Sequence, residues 1–243
     1  MSPSTPLILA FETATETASV ALLRGEALVA ERTAPVGVDA SVTLLAMVDE
    51  LFEGDVSGLD AVDAFAVSIG PGSFTGLRIG VATLKGLAFG RPHRAVAVST
   101  LEALAEAAPS HDVPVVPLLD ARRGEIYAAA FERIGSRWGT LAPESVYLPE
   151  ELARLIPARC TLVGAGAAIW GERLREVRGA GVAEAAVAGE PSARFVGALA
   201  ARALASGEGS DAADLVPRYL RRAEAEVKRT GIRFERDSVS RRD

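Results

Sequence analysis

Apolar positions along the chain change period in an ordered way. Residues 6–11 are a continuous apolar run, which predicts a buried strand ending at Glu12-Thr13-Ala14-Thr15-Glu16. Residues 17–24 are rich in β-formers, Gly25-Glu26 makes a tight turn, and 27–33 predict a third strand. The chain therefore opens as a meander. At 41–53 the period becomes helical: Leu44, Leu45, Val48, Leu51 and Phe52 share one stripe, with Val42 and Ala46 on another side and Gly54 as the stop. An apolar run at 64–69 predicts a strand, 75–89 a helix and 94–98 a strand. A helix over 99–108 opens with a capping box of Ser99 and Glu102.

The rest of the chain is organised around residues 64–89. Strand 64–69 runs into Gly70-Pro71-Gly72-Ser73-Phe74-Thr75-Gly76, and a helix follows. Pro71 fixes its φ, the flanking glycines permit backbone angles that a Cβ forbids, and Ser73 or Thr75 can cap the helix. Within the helix, Leu77, Val81, Leu84 and Ala88 share one face, and Gly76, Ile79, Gly80, Thr83, Gly86 and Leu87 another. Each interior glycine costs about 1 kcal/mol relative to alanine. A helix apolar or small almost all round is buried on more than one side. A central helix of one large domain explains this. So does a helix that covers its own sheet and offers a groove at Gly76 and Gly80 to a partner helix.

The second half repeats the alternation less clearly. Strands are predicted at 113–120 and 126–132 around Arg122-Arg123-Gly124-Glu125, then a short helix at 149–156, a strand at 160–164, and helices at 167–177 and 192–206. The boundary falls at 109–114. The expected division is residues 1–108, a second subdomain over 109–217 whose helix 192–206 can pack back on the first, and a charged, partly disordered tail over 218–243. The order β-β-β-α-β-α-β-α is the repeat unit of the actin-like, ribonuclease-H-like fold. The predicted class is thus α/β, with mixed sheets flanked by helices in two subdomains.

Composition narrows the function. Of 243 residues 49% are hydrophobic, enough for a sizeable core. Net charge is −6 and only Lys85 and Lys228 are lysine among 26 basic residues, which argues against a broad basic face gripping nucleic acid. The single Cys160 fits a reducing compartment. No signal peptide and no run of transmembrane length is visible, so a cytoplasmic protein with no membrane contact is expected. His93 and His111 are not spaced as ligands of one site and read as surface residues, so no metal is expected. No Ser-His-Asp grouping or Walker-type Gly-Lys-Ser/Thr is present. Gly164-Ala165-Gly166 is a weak nucleotide signal and more simply a turn. Arg122-Arg123 can hold a phosphate, but a solvated hairpin tip accounts for it better.

Ser68-Ile69-Gly70-Pro71-Gly72-Ser73-Phe74-Thr75-Gly76-Leu77-Arg78-Ile79-Gly80 resembles the signature of the TsaB (YeaZ) family. Thr13-Ala14-Thr15, residues 45–52, Val98-Ser99-Thr100-Leu101 and Pro217-Arg218-Tyr219-Leu220-Arg221 agree with it in order. The chain departs from the family at Glu12, where members commonly carry Asp, and at Ala40, where a histidine is often found. The resemblance implies a role in making threonylcarbamoyladenosine next to the anticodon of tRNAs that read codons starting with adenine. It also implies a non-catalytic paralogue of TsaD. TsaD holds its metal with His-x-x-x-His, and the matching positions here are Thr100 and Leu104, which cannot replace two histidines as ligands.

The resemblance therefore implies a scaffold or activating subunit and not an enzyme, with no catalytic residues. It is expected to pair with TsaD through helices 41–53 and 75–89, using Val42, Leu45, Ala46, Gly76, Leu77, Gly80, Val81 and Leu84. It is expected to join TsaE in a larger assembly, to meet tRNA only through that complex, and to form a homodimer when TsaD is absent. This chain alone binds no cofactor on this reading; ATP and metal belong to the partner subunits. The alternative is an independent ATP-dependent enzyme of the actin-like fold, using the Glu12 turn and residues 164–166. A peptidase reading lacks a visible nucleophile or metal.

Overall fold

The structure, a computed structural model, describes residues 5–35, 40–53, 58–91, 93–178 and 185–221. Gly54, most of the loop predicted before the first helix, and the charged tail beyond Arg221 lie outside the described residues.

The first half is β1 (Leu7–Glu12), β2 (Thr17–Arg24), β3 (Ala27–Pro35), α1 (Ala40–Leu51), β4 (Ala64–Ser68), α2 (Phe74–Ala88), β5 (Arg94–Val98) and α3 (Thr100–Glu106). The second half is β6 (Val115–Asp120), β7 (Ile126–Ile134), β8 (Arg137–Tyr147), α4 (Pro149–Leu155), β9 (Thr161–Val163), α5 (Ala165–Arg178), β10 (Ala185–Val187) and α6 (Ala193–Ala205). The order β-β-β-α-β-α-β-α therefore occurs twice. The sheets agree: one runs β5-β4-β1-β2-β3, with the short β11 (Ser210–Asp211) added outside β5, and the other runs β10-β9-β6-β7-β8. This is the actin-like, ribonuclease-H-like α/β architecture.

β1 is an uninterrupted apolar run because both faces of its sheet are covered. Leu7, Leu9 and Phe11 pack with Leu44, Val48 and Leu51 of α1 and with Val81 and Leu84 of α2. Ile8 and Ala10 face the other way, onto Val196 and Ala200 of α6. In the second sheet Leu118, Ile126 and Ala128 pack with Leu152 of α4 and Leu174 of α5. Its other face takes Leu101 and Leu104 of α3. The last helix of each half thus covers the sheet of the other half, and the two halves share their cores.

Three strands escape prediction from the sequence. β8 is hidden by Gly139 and Pro143, which break a strand pattern. The structure tolerates both because β8 is the sheet edge and its pairing with β7 shifts register around Ala128–Phe131, opposite the proline. β10 and β11 have three and two residues and carry no periodicity. Ser99 caps α3 as predicted, with its hydroxyl accepting from the amides of Leu101 and Glu102.

Candidate functional site

Two regions stand out: the outward face of α1 and α2, and a cleft between equivalent turns of the two halves.

Ser73 is the N-cap of α2; its Oγ accepts from the Gly76 amide at 3.2 Å. The helix is then fastened to the β1–β2 turn. The Ser73 amide donates to the Ala14 carbonyl at 2.7 Å, and Thr13 Oγ1 donates to the Gly76 carbonyl at 2.8 Å. A Cβ at Gly76 would lie 2.0 Å from the Thr13 carbonyl oxygen, and one at Gly80 would lie 2.3 Å from Thr13 Oγ1. These glycines are therefore the seat of the turn, not a groove for another protein. Leu77, Val81 and Leu84 are 0–5% exposed, and Val81 and Leu84 belong to the core under the first sheet. Gly76, Leu77, Gly80, Val81 and Leu84 are thus corrected from partner contacts to internal ones. A side chain introduced at Gly80 would test the fit of the Thr13 turn, not a partner surface.

The outward face is made of other residues. On α1, Val42 is 66% and Leu45 45% exposed, and Ala46 is exposed beside them. On α2 the residues turned out are Thr75, Arg78, Ala82 and Gly86, with Ile79 and Thr83 half-buried at the margin. A Cβ at Gly86 would meet nothing within 4 Å. Phe89, just past the helix, is 88% exposed. Apart from Arg78, which bonds the Tyr219 hydroxyl, small and apolar side chains make up much of the exposed surface of these two packed helices.

The cleft has a volume of about 700 Å³. One wall is the β1–β2 turn (Ala14, Thr15, Glu16) and the signature turn (Pro71, Gly72, Ser73, Phe74). The other is the β6–β7 turn (Asp120, Ala121, Arg122), Tyr127, and Ala165 and Ile169 of α5. Residues 218–221 run along it. Across the opening Arg122 and Glu16 pair at 3.8 Å, both largely exposed.

The features that suggested nucleotide binding serve the chain itself. A Cβ at Gly166 would sit 2.7 Å from the backbone of Leu118, and one at Gly164 would sit 2.6 Å from Leu104 Cδ2 and the Leu118 carbonyl. Close packing of α5 on β6 explains both glycines. Thr100 and Leu104 are completely buried, Leu104 in the core under the second sheet. His93 and His111 are not at the surface as expected. Both are half-buried, His93 near Phe65 and His111 edge-on to Trp138 at 5.0 Å. Among the described residues no group of three or more His, Cys, Asp or Glu side chains could hold a metal.

In the sequence Glu12 stands out as a departure from the family and as part of the turn the ATP-dependent alternative would use, but its burial is not legible there. It is fully buried at the end of β1, with Oε1 accepting from the Ala14 amide at 2.5 Å. Burial pushes its carboxyl up to about 7, against the pull of the Ala14 amide, the Ser68 hydroxyl and the Thr13 amide. Its Oε2 and the hydroxyl of Ser68 are buried without a hydrogen-bond partner of good geometry, which leaves a charged carboxylate there poorly satisfied. The folded value lies above the usual 4.5, so the folded chain holds more protons than the unfolded one between about pH 4.5 and 7. Stability is lost as pH rises through that window, and above it the full cost of a buried carboxylate remains, roughly 3 kcal/mol. Glu12→Gln is expected to melt above wild type at pH 8, with the gap closing towards pH 4.5. Parallel melting curves across that range would contradict this.

Residues 39–229 match a protein-family model described as TsaD, tRNA N6-adenosine threonylcarbamoyltransferase. The chain is 38% identical over 159 residues to the tRNA threonylcarbamoyladenosine biosynthesis protein TsaB of Haemophilus influenzae, covering 59% of this chain and 65% of that one. It is 34% identical over 170 residues to the Escherichia coli protein of the same name, covering 67% and 73%. It is 29% identical over 225 residues to that of Bacillus subtilis, covering 91% and 96%. The structure of YeaZ from Pseudomonas aeruginosa superposes with a TM-score of 0.75 at 32% identity, over 88% of this chain and all of that one.

Proposed function

The chain belongs to the TsaB (YeaZ) family, and from that premise we propose that it is a non-catalytic subunit in the biosynthesis of threonylcarbamoyladenosine in tRNA. In this reading it pairs with a TsaD-type transferase, which modifies the adenosine next to the anticodon in tRNAs that read codons starting with adenine. The outward face of α1 and α2 carries the reading. Around Val42, Leu45, Ala46, Ala82 and Gly86 it is apolar and small-residued, with Arg78 at its edge, and α2 is locked from behind by the Thr13 turn. Such a face suits helix-on-helix packing.

Two further observations support a role without chemistry. The positions that hold the metal in TsaD are Thr100 and Leu104 here, and both are buried. The turns that would cradle phosphates are filled by the chain's own packing: Gly72 and Gly76 by Ala14 and Thr13, Gly166 by Leu118. These observations disfavour the reading as an independent ATP-dependent enzyme. Docking of TsaE on the pair, recruitment of tRNA only by the complex, and self-association through the same face when TsaD is absent complete the proposal. A cytoplasmic setting accords with the tRNA substrate. No helix among the described residues is long and apolar enough to cross a membrane.

The test is biochemical. The purified chain is expected to hydrolyse no ATP, to carry no stoichiometric transition metal and to bind tRNA weakly at physiological salt. It is expected to co-elute with a TsaD-type subunit in size-exclusion chromatography. Sustained ATP turnover by the pure chain, abolished by a change at the cleft, would overturn the assignment.

A further inference from the structure

Residues 70 and 217–221 belong to two signature stretches far apart in sequence, and the structure brings them into contact. We infer that Pro217–Arg221 is a strap that ties the two halves together across the cleft and holds the cleft in one setting without a bound ligand. This is independent of pairing through α1 and α2.

One end of the strap grips the first half. The Arg218 amide donates to the Ile69 carbonyl at 2.7 Å. That bond brings the Arg218 carbonyl to where a Cβ on Gly70 would stand, 2.4 Å away, and Gly70 has a φ of +122°. Position 70 is therefore glycine on two counts. The Tyr219 ring stacks on Phe74 with centroids 4.3 Å apart. Its hydroxyl accepts from Arg78 Nε at 3.0 Å, while the Arg78 guanidinium lies 3.9 Å above the Phe74 ring.

The other end grips the second half. The Arg221 guanidinium pairs with Glu125 of the β6–β7 turn, and its Nη1 donates to the Ala121 carbonyl at 2.7 Å. The Arg218 guanidinium pairs with Glu144 of β8. The two carboxylates are only 12% and 13% exposed. A carboxylate so withdrawn from water needs its cation, so releasing the strap is strongly opposed. Five residues thus connect the turn after β4 with the turn after β6, the two walls of the cleft.

Amide hydrogen exchange on the full chain tests this through remote effects. Tyr219→Ala touches only the first half, yet it is expected to speed exchange about tenfold in residues 119–127. Arg221→Ala removes the bonds to Glu125 and Ala121 of the second half, yet it is expected to do the same in residues 69–76. Tyr219→Phe keeps the stack and serves as the folded control, with both turns near wild-type protection. Magnesium–ATP is expected to leave wild-type exchange in both turns unchanged. If each variant loosens only the half it touches, or if nucleotide tightens both walls of the wild-type cleft, the strap does not set the cleft and the inference fails. Binding to a TsaD-type subunit, measured on the same proteins, reports separately on the proposed function.

Discussion

Ala82→Arg is expected to weaken association with a TsaD-type subunit at least a hundredfold, about 2.7 kcal/mol or more, and to abolish tRNA modification in the reconstituted system. Ala82 is exposed on α2 between Ile79 and Gly86, facing away from the core. Arginine is a good helix former, so the isolated chain should melt within a degree or two of wild type. In the complex a long cation would stand where two helices meet closely, and it would either hold them apart or be buried unpaired. Leu45→Asp on α1 is expected to act in the same direction. Calorimetric titration checks both. Wild-type affinity for both folded variants would place the partner surface elsewhere. The internal glycines make the contrast: a side chain at Gly80 meets Thr13, so loss of binding there would accompany loss of stability.

The second large effect lies in the core. Glu106, the last residue of α3, has a side chain 7% exposed and receives two arginines. Arg133 of β7 donates to both of its oxygens at 2.9 Å, and Arg202 of α6 donates to Oε1 at 2.6 Å. Arg202 also reaches Glu26 in the β2–β3 turn at 2.8 Å, and Arg133 lies over Trp138. One carboxylate therefore joins the two crossing helices to both halves. Burial would raise its carboxyl, but the hydrogen bonds from Arg133 and Arg202 hold it below the usual carboxylate range. Removing it leaves two arginines, each 18% exposed, facing each other, with Arg133 deprived of its carboxylate and Arg202 left with Glu26 alone. Glu106→Ala should cost about 3–5 kcal/mol, towards the lower end because the arginines keep some water contact. In a chain of this size that lowers the melting temperature by roughly 10 °C. Glu106→Gln keeps two acceptor positions and should cost less. An unchanged melting temperature for Glu106→Ala would show that the network is decorative.

Much of the architecture could be read from period alone. The runs of β1, β2 and β4 and the stripes of α1 and α2 are long enough for burial to impose a repeat. The doubling of the fold was obscured because β8 and β10, members of the second copy, carry too little pattern. The candidate interface was half legible. The sequence shows that α2 has two buried-type faces, but not which one turns inward. Glycine carries no side chain to declare a direction, and the decision belongs to Thr13, some sixty residues earlier. On α1 the amphipathic stripe left Val42 and Ala46 outside, as they are, but Leu45, a member of the stripe, is exposed as well. The places of Glu12 and Arg218 could not have been read at all. A buried acid looks like a surface acid in sequence, and the contact of Gly70 with Arg218 spans 148 residues.

The central claim is that this chain acts by docking and not by chemistry. Threonylcarbamoyladenosine formed on tRNA can be quantified by mass spectrometry, with the threonylcarbamoyl donor supplied, using a TsaD-type subunit with TsaE, this chain alone, and all three together. The account predicts product with all three, little with the first set and none with this chain alone. Product formed by this chain alone, or an unchanged yield when it is left out, would contradict it.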